Sequence, residues 1–430
     1  MMKLLRRLLP LLLLAGCAST GPAHDSLDVI ARDYVKLQLA IGEKEEGYVD
    51  AYYGPPEWQA EAKLKPHTLP DLAARAGVLA VRLRSLADAR LDDMERRRRD
   101  FLLANLRAAS TRLRMMQGEK LAFADESEGL FGVRPELKAL AAYDPVLARI
   151  ERLVPGAGPL GDRVDAFQGR FNVAKNRLEP VFRAAIAECR RRTLEHIALP
   201  PNEKFTLEFV TGKTWSGYNW YKGNATSLIQ VNTDLPLRLS RAVDLGCHEG
   251  YPGHHVYNLL LEEKLAKGRG WIEFTLYPLY SPQSFIAEGS ANYGIDLAFP
   301  GEERLRFETA ILYPLAGLPA KDAAAYFKLQ EAMQDLAGAR FTIARDYLEG
   351  RIDRARAVEL AQRYQLVSKA RAEQSVAFTE QYRSYVINYG LGLDYVRTYV
   401  ESFGEASERR WAAMESLLSG PTLPSDLVVP

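Results

Sequence analysis

Three of the six histidines in this sequence fall within eight residues, His248-Glu249-Gly250-Tyr251-Pro252-Gly253-His254-His255. Imidazoles gathered this closely, with a carboxylate beside the first, suit a zinc ion that keeps one position for water. The ring nitrogens bind the metal, and the adjoining carboxylate takes a proton from the bound water. The spacing is the difficulty. Side chains at i and i+4 share a helix face, whereas i and i+6 point about 120° apart on an uninterrupted helix. His248 and His254 can therefore serve one ion only if the helix breaks between them. Pro252-Gly253 supplies the break, because proline lacks a backbone donor and glycine accepts unusual dihedrals. His255, at i+7, is the competing ligand if the helix stays regular. With His254 as the ligand, His255 becomes a group facing the substrate or supporting the site.

The stretch resembles an expanded form of the zincin motif His-Glu-x-x-His. A third protein ligand is then needed. Glu288 is the best candidate, on a helix that Ser281 caps and Pro282 opens. Glu288, Asn292 and Asp296 recur at i, i+4 and i+8 on one face. Asn292 or Asp296 could hold a ligand histidine through its other ring nitrogen. A His-Glu…His followed by a Glu on a later helix is the order of gluzincin-type peptidases. The chain also resembles the domain-of-unknown-function 885 family of bacterial proteins, many of them lipoproteins. The resemblance rests on His248 to His254 and on Glu288-Gly289-Ser290-Ala291-Asn292-Tyr293, where the family often has Trp at the position of Ser290. It extends over most of the mature chain, including 231–236 and 385–390. It implies a gluzincin-like helical metal site without defining a substrate.

On that reading one zinc ion per chain is bound by His248, His254 and Glu288, and Glu249 is the general base. A donor to the scissile carbonyl oxygen is expected from Tyr385 or Tyr389, with His255 third. Tyrosines at helical spacing are also common core residues. An edge strand at 227–232 would hold an extended peptide through its backbone, with Gln230 and Asn232 as substrate-binding residues. Trp215, Tyr218, Trp220 and Tyr221 line that groove or pack its floor.

The elements that must position these groups are mostly helical. Apolar residues recur at helical spacing over 26–46, with Asp25 or Ser26 as N-cap, and over 70–117 as two helices. Further helices are expected over 180–199, 322–348, 356–386 and 407–418. Asp234 and Pro236 are expected to start the motif helix, which continues to about residue 268. Residues 47–58 read as an aromatic loop. Alternation at 205–210 and 227–232 predicts a small sheet beside the motif. The fold class is thus mainly α, a gluzincin-like helical metallopeptidase architecture with a minor sheet. Residues 26–430 form one domain, with one large core or two lobes around a cleft.

The first residues read as an address. Lys3, Arg6 and Arg7 precede an apolar run too short to span a bilayer, which ends in Leu14-Ala15-Gly16-Cys17. This resembles a lipobox, with residues 1–16 removed, Cys17 lipidated and 18–25 a tether. No Asp follows Cys17, so the outer membrane facing the periplasm is expected in a diderm host, with membrane contact through the lipid alone. The 56 basic and 55 acidic residues balance to +1, which argues against nucleic acid as a partner; the expected partner is a peptide or peptide-like substrate, on the strand reading above. Cys189 and Cys247 could pair after export but read as free thiols, Cys189 lying in a helix and Cys247 beside the motif. The competing readings are a structural zinc site using Cys247, a lipoprotein that binds peptide or a partner without turnover, and a metal-dependent cell-wall amidase.

Overall fold

A computed structural model describes residues 26–429; Cys17 and the leader lie outside them. Helix α1 (Leu27–Gly42) opens where Ser26 accepts the Val29 amide as N-cap. Helices α2 (Leu69–Arg84) and α3 (Asp93–Met116) start in reciprocal capping boxes at Thr68/Asp71 and Asp92/Glu95. Their apolar faces pack with α1 into the main core, which also takes α4 (Phe123–Phe131) and α5 (Leu178–Leu194). None of the described helices is long and apolar enough to cross a membrane.

The sheet differs from the expected one. Strands β2 (Lys204–Val210), β3 (Gly217–Tyr221) and β4 (Thr226–Asn232) form in the order β2-β4-β3. β4 pairs in parallel with β2 and antiparallel with β3. It is the central strand, so its backbone is occupied on both sides, and β2 and β3 are the edge strands. Local alternation locates a strand but does not reveal its neighbours. The aromatic segment expected as a loop holds a further strand, β1 (Val49–Tyr52), antiparallel to β5 (Leu276–Pro278).

The motif helix begins later than its sequence suggests, as α6 (Ser240–Leu245). Asp234 does not cap it; its carboxylate accepts the amides of Gly212 and Lys213 and closes the loop before β3. A wider π-turn follows over Gly246–Gly250, and α7 (His254–Leu261) starts immediately after the break at Tyr251-Pro252-Gly253. A Cβ at Gly253 would collide with the carbonyl groups of His248 and Cys247, so only glycine lets the chain fold back this tightly.

Helix α8 (Pro282–Ala298) follows, with Ser281 at its N-cap position. The Ser281 hydroxyl donates to the Pro278 carbonyl instead of accepting a helix amide. The two long helices expected near the C-terminus are each divided: α9 (Ala323–Gln334) and α10 (Ala337–Leu348), then α11 (Arg354–Gln365) and α12 (Lys369–Tyr382). Leu366, in the left-handed region at φ 53°, ends α11. These helices gather a second apolar cluster around Leu329, Ile343 and Ala361. Helices α13 (Ile387–Glu401) and α14 (Ser407–Leu418) return to the main core. Gly289 of α8 meets Gly392 of α13 with no room for a side chain, and this close approach brings the two backbones together beside the motif.

Cys189 and Cys247 form a disulfide, with Cα atoms 5.4 Å apart, where free thiols were expected. Helical residues far apart in sequence can face each other across a packed interface, and here α5 lies against the motif turn. The bond ties that turn, one residue before His248, to the main core. It also removes Cys247 as a metal ligand.

Candidate metal centre

His248 and Glu249 sit on the π-turn, His254 opens α7 and Glu288 lies in the second turn of α8. The break therefore does what the spacing required. Ligand atoms of His248, Glu249 and His254 lie within 4.8 Å of one another. Nε2 of His248 is 3.1 Å from Oε2 of Glu288, and Nε2 of His254 is 3.7 Å from its Oε1. All four side chains are largely withdrawn from water at the floor of a cleft of about 690 Å³.

The surroundings fix the orientation of each group. Asn292, one turn beyond Glu288, donates its amide N–H to the Tyr389 carbonyl at 2.9 Å, which turns Oδ1 toward His248. Oδ1 lies 3.0 Å from Nδ1 of His248, so the neutral ring carries its proton there and its lone pair on Nε2, toward Glu288. Asn258 donates to the His254 carbonyl at 2.9 Å and Asn219 of β3 donates to the Glu249 carbonyl at 2.6 Å. The Tyr385 hydroxyl donates to Oε1 of Glu288 at 2.8 Å. Tyr385 arrives through a tight turn in which Arg383 has φ 54° and buried Glu126 accepts from Arg383, from the Ser384 amide and from its hydroxyl.

Charge follows from burial and neighbours. Burial drives His254 down to about 4, against the pull of Glu288, so it is neutral near pH 7. Burial would also lower His248, but the Glu288 contact and the charge of Glu249 outweigh it and lift the ring to about 8. Burial raises Glu249 to about 7, with His248 pulling the other way. Burial would raise Glu288 too, but His254 and His248 hold it below the usual carboxylate range. Two buried atoms, Nδ1 of His254 and Oε2 of Glu288, have no hydrogen-bond partner. At 3.1 Å the latter touches His248 without an aligned donor. Unsatisfied acceptors of this kind are costly. Two imidazoles that converge on an ionised carboxylate with one oxygen left unsatisfied fit a divalent cation with mixed nitrogen and oxygen ligands.

Other residues singled out in the sequence fall elsewhere. His255 does not face the cleft. It is fully buried on the far side of α7, with Nδ1 2.8 Å from the Ser227 hydroxyl and Nε2 3.0 Å from Glu203. The regular-helix alternative fails with it, because the break turns successive histidines to opposite sides. Gln230 spends its amide on Trp220 and Glu208, and Asn232 spends its own on the carbonyls of Lys213 and Trp215. Neither lines the cleft, since β4 is internal. Asp296 reaches the cleft but pairs with Arg397 at 2.7 Å and touches no ligand histidine. Tyr389 does join the site, its ring lying 6.3 Å from His248 and nearly parallel to it.

The cleft also holds groups that the sequence did not single out. Asp50 of β1 accepts the Tyr218 hydroxyl and is pushed up to about 7 by burial. Arg340 of α10 lies against Phe378 and Tyr389. Alternation through Tyr48-Val49-Asp50-Ala51-Tyr52 was a strand signal for Asp50; nothing local marks Arg340.

No family model matches the chain, and no curated protein does. A solved protein from Colwellia psychrerythraea described as a lipoprotein superposes with a TM-score of 0.50 at 14% identity, over 84% of this chain and 68% of its own. An M32 carboxypeptidase from Deinococcus radiodurans R1 superposes with a TM-score of 0.35 at 12% identity, over 91% and 89%. The first is a likeness of fold, and the second is too loose to argue from.

Proposed function

We infer that this chain is a zinc-dependent hydrolase of peptide bonds. The observation that carries the reading is the convergence of His248, His254 and Glu288 in the cleft, with Glu249 beside them and its carboxylate free of hydrogen bonds and ion pairs among the described residues. Glu288 fits as the carboxylate ligand because it touches both imidazoles and leaves one oxygen unsatisfied. Zinc bound there would acidify a water and polarise a carbonyl. Glu249 then has the proton-handling role. Its carboxylate is buried against Gly217 of β3, where a Cβ would come within 2.7 Å of Oε1. Held near neutrality, it suits accepting a proton and returning it to a leaving amine. Tyr385 keeps Glu288 in place through its hydrogen bond, which leaves Tyr389 as the one of these two whose hydroxyl makes no hydrogen bond among the described residues.

A peptide substrate is favoured by β3. Among the described residues this edge strand pairs with β4 alone, and Gly217, Tyr218 and Asn219 line the cleft beside Glu249. An extended backbone laid along it gains main-chain hydrogen bonds whatever its side chains. Export as a lipoprotein belongs to the same proposal; the disulfide fits an oxidising compartment, and membrane association lost in Cys17→Ser would support it.

The test is Glu249→Gln against a peptide library with the zinc-loaded protein. Hydrolysis should fall by about three orders of magnitude while zinc stays bound. Hydrolysis that survives the substitution would remove Glu249 from the chemistry. Cleavage of cell-wall peptides alone would favour the amidase reading, and ligand binding without turnover in wild type would favour the binding protein.

A further inference from the structure

Arg340 is an anomaly in the cleft. No carboxylate among the described residues pairs with its guanidinium, and its Nε is buried without a hydrogen-bond partner. Two aromatic faces hold it, Phe378 at 5.0 Å and Tyr389 at 5.9 Å. Arg304, which also lines the cleft, is matched by Asp244 and Glu308; Arg340 is not. Arg340 as a whole is half-buried, so its guanidinium is partly desolvated without an anion, a cost that cation–π contact offsets only in part. Burial accordingly lowers its proton affinity. Aromatic contacts on a planar fork also fix its orientation, leaving the N–H edge for a carboxylate to meet bidentately.

Its position says which carboxylate. Tyr389 is the shared neighbour: its ring is 6.3 Å from His248 and 5.9 Å from the guanidinium. Arg340 is therefore at most about 12 Å from the His248 ring, a span of one to three extended residues. The acidic group across the cleft, Asp50, is already satisfied by the Tyr218 hydroxyl and makes a poorer anchor for a substrate's amino end. We propose that Arg340 binds the free C-terminal carboxylate of the substrate, so that the enzyme trims peptides from their carboxyl end.

This inference rests on the metallopeptidase reading, and one experiment separates the two. Three peptides of otherwise equal sequence are compared with the zinc-loaded protein: a free acid, its C-terminal amide, and an amide ending in Glu. Wild type should favour the free acid by about 50-fold in kcat/KM, as expected for a charge-assisted hydrogen bond. In Arg340→Met the ratio should collapse toward one, chiefly through KM, and Arg340→Lys should keep part of it. Equal rates on acid and amide in wild type, or an unchanged ratio in Arg340→Met, would overturn the assignment while leaving the peptidase intact. Preference for the Glu amide over the free acid would also overturn it, in favour of an acidic side-chain pocket. If wild type cleaves none of the three, calorimetric binding of the acid and the amide decides. An Arg340-dependent preference for the acid would uphold the anchor without the peptidase, and equal binding would refute it.

Discussion

At the scale of single residues, the site depends on a few atoms held where they are needed. Glu249 needs both burial, which brings it near neutrality, and space, which Gly217 provides. Gly217→Ala places a methyl 2.7 Å from the Glu249 carboxylate, so the carboxylate must move. Catalytic efficiency is expected to drop by about 100-fold, with zinc retained, since the proposed ligands His248, His254 and Glu288 are untouched. Parallel rate and zinc measurements check this, and an unaffected rate would mean that the position of Glu249 is not critical. The residues that the sequence identified here are those whose signal is local. His248, Glu249 and His254 are set by short spacing and one Pro-Gly break, and Glu288 and Asn292 by a helix face. Arg340 reaches the cleft through long-range packing, which leaves no mark in its own neighbourhood, and the alternation around Asp50 marks a strand without showing that the strand borders the cleft.

At the scale of elements, a buried network behind α7 holds the motif turn. Glu203, just before β2, accepts from the Tyr251 hydroxyl, lies 3.0 Å from Nε2 of His255 and pairs with Arg190 of α5 at 2.9 Å. Burial alone would raise its pKa, but His255, Tyr251 and Arg190 hold it down at about 2. The folded pKa lies below the unfolded value of about 4.5, so the stabilisation is complete above pH 4.5 and is lost as pH falls toward 2. Melting temperatures of wild type and Glu203→Gln should therefore differ most above about pH 4.5 and converge only as pH falls toward 2. A constant difference across that range would rule out the proposed linkage. His255 belongs to this network, which the sequence could not show: two adjacent histidines look equivalent until the break sends one to the cleft and the other to the core. Strand order was hidden for a related reason. The alternation of β4 is correct, but its central place depends on β2 and β3 closing on both sides of it. The pairing of Cys189 with Cys247 likewise needed the docking of α5.

At the scale of the whole molecule, a helical frame brings four distant segments to one cleft. The motif turn and α8 supply the donor set, β3 supplies an open strand edge, and α10, α12 and α13 close the opposite wall with Arg340, Phe378 and Tyr389. The mainly α character was legible from periodicity alone, because amphipathic helices declare their buried face within a few turns. The division into a main core and a smaller cluster around α9 to α12 was not, since it depends on which faces meet. The central claim is that this frame exists to hold one zinc ion. Its most direct test is the zinc content of the purified domain beginning after Cys17, for wild type, His254→Ala and Glu288→Ala. About one zinc per chain in wild type, lost in both variants with the fold retained, is the expected result. No zinc in folded wild type, or zinc kept in full by both variants, would contradict the account.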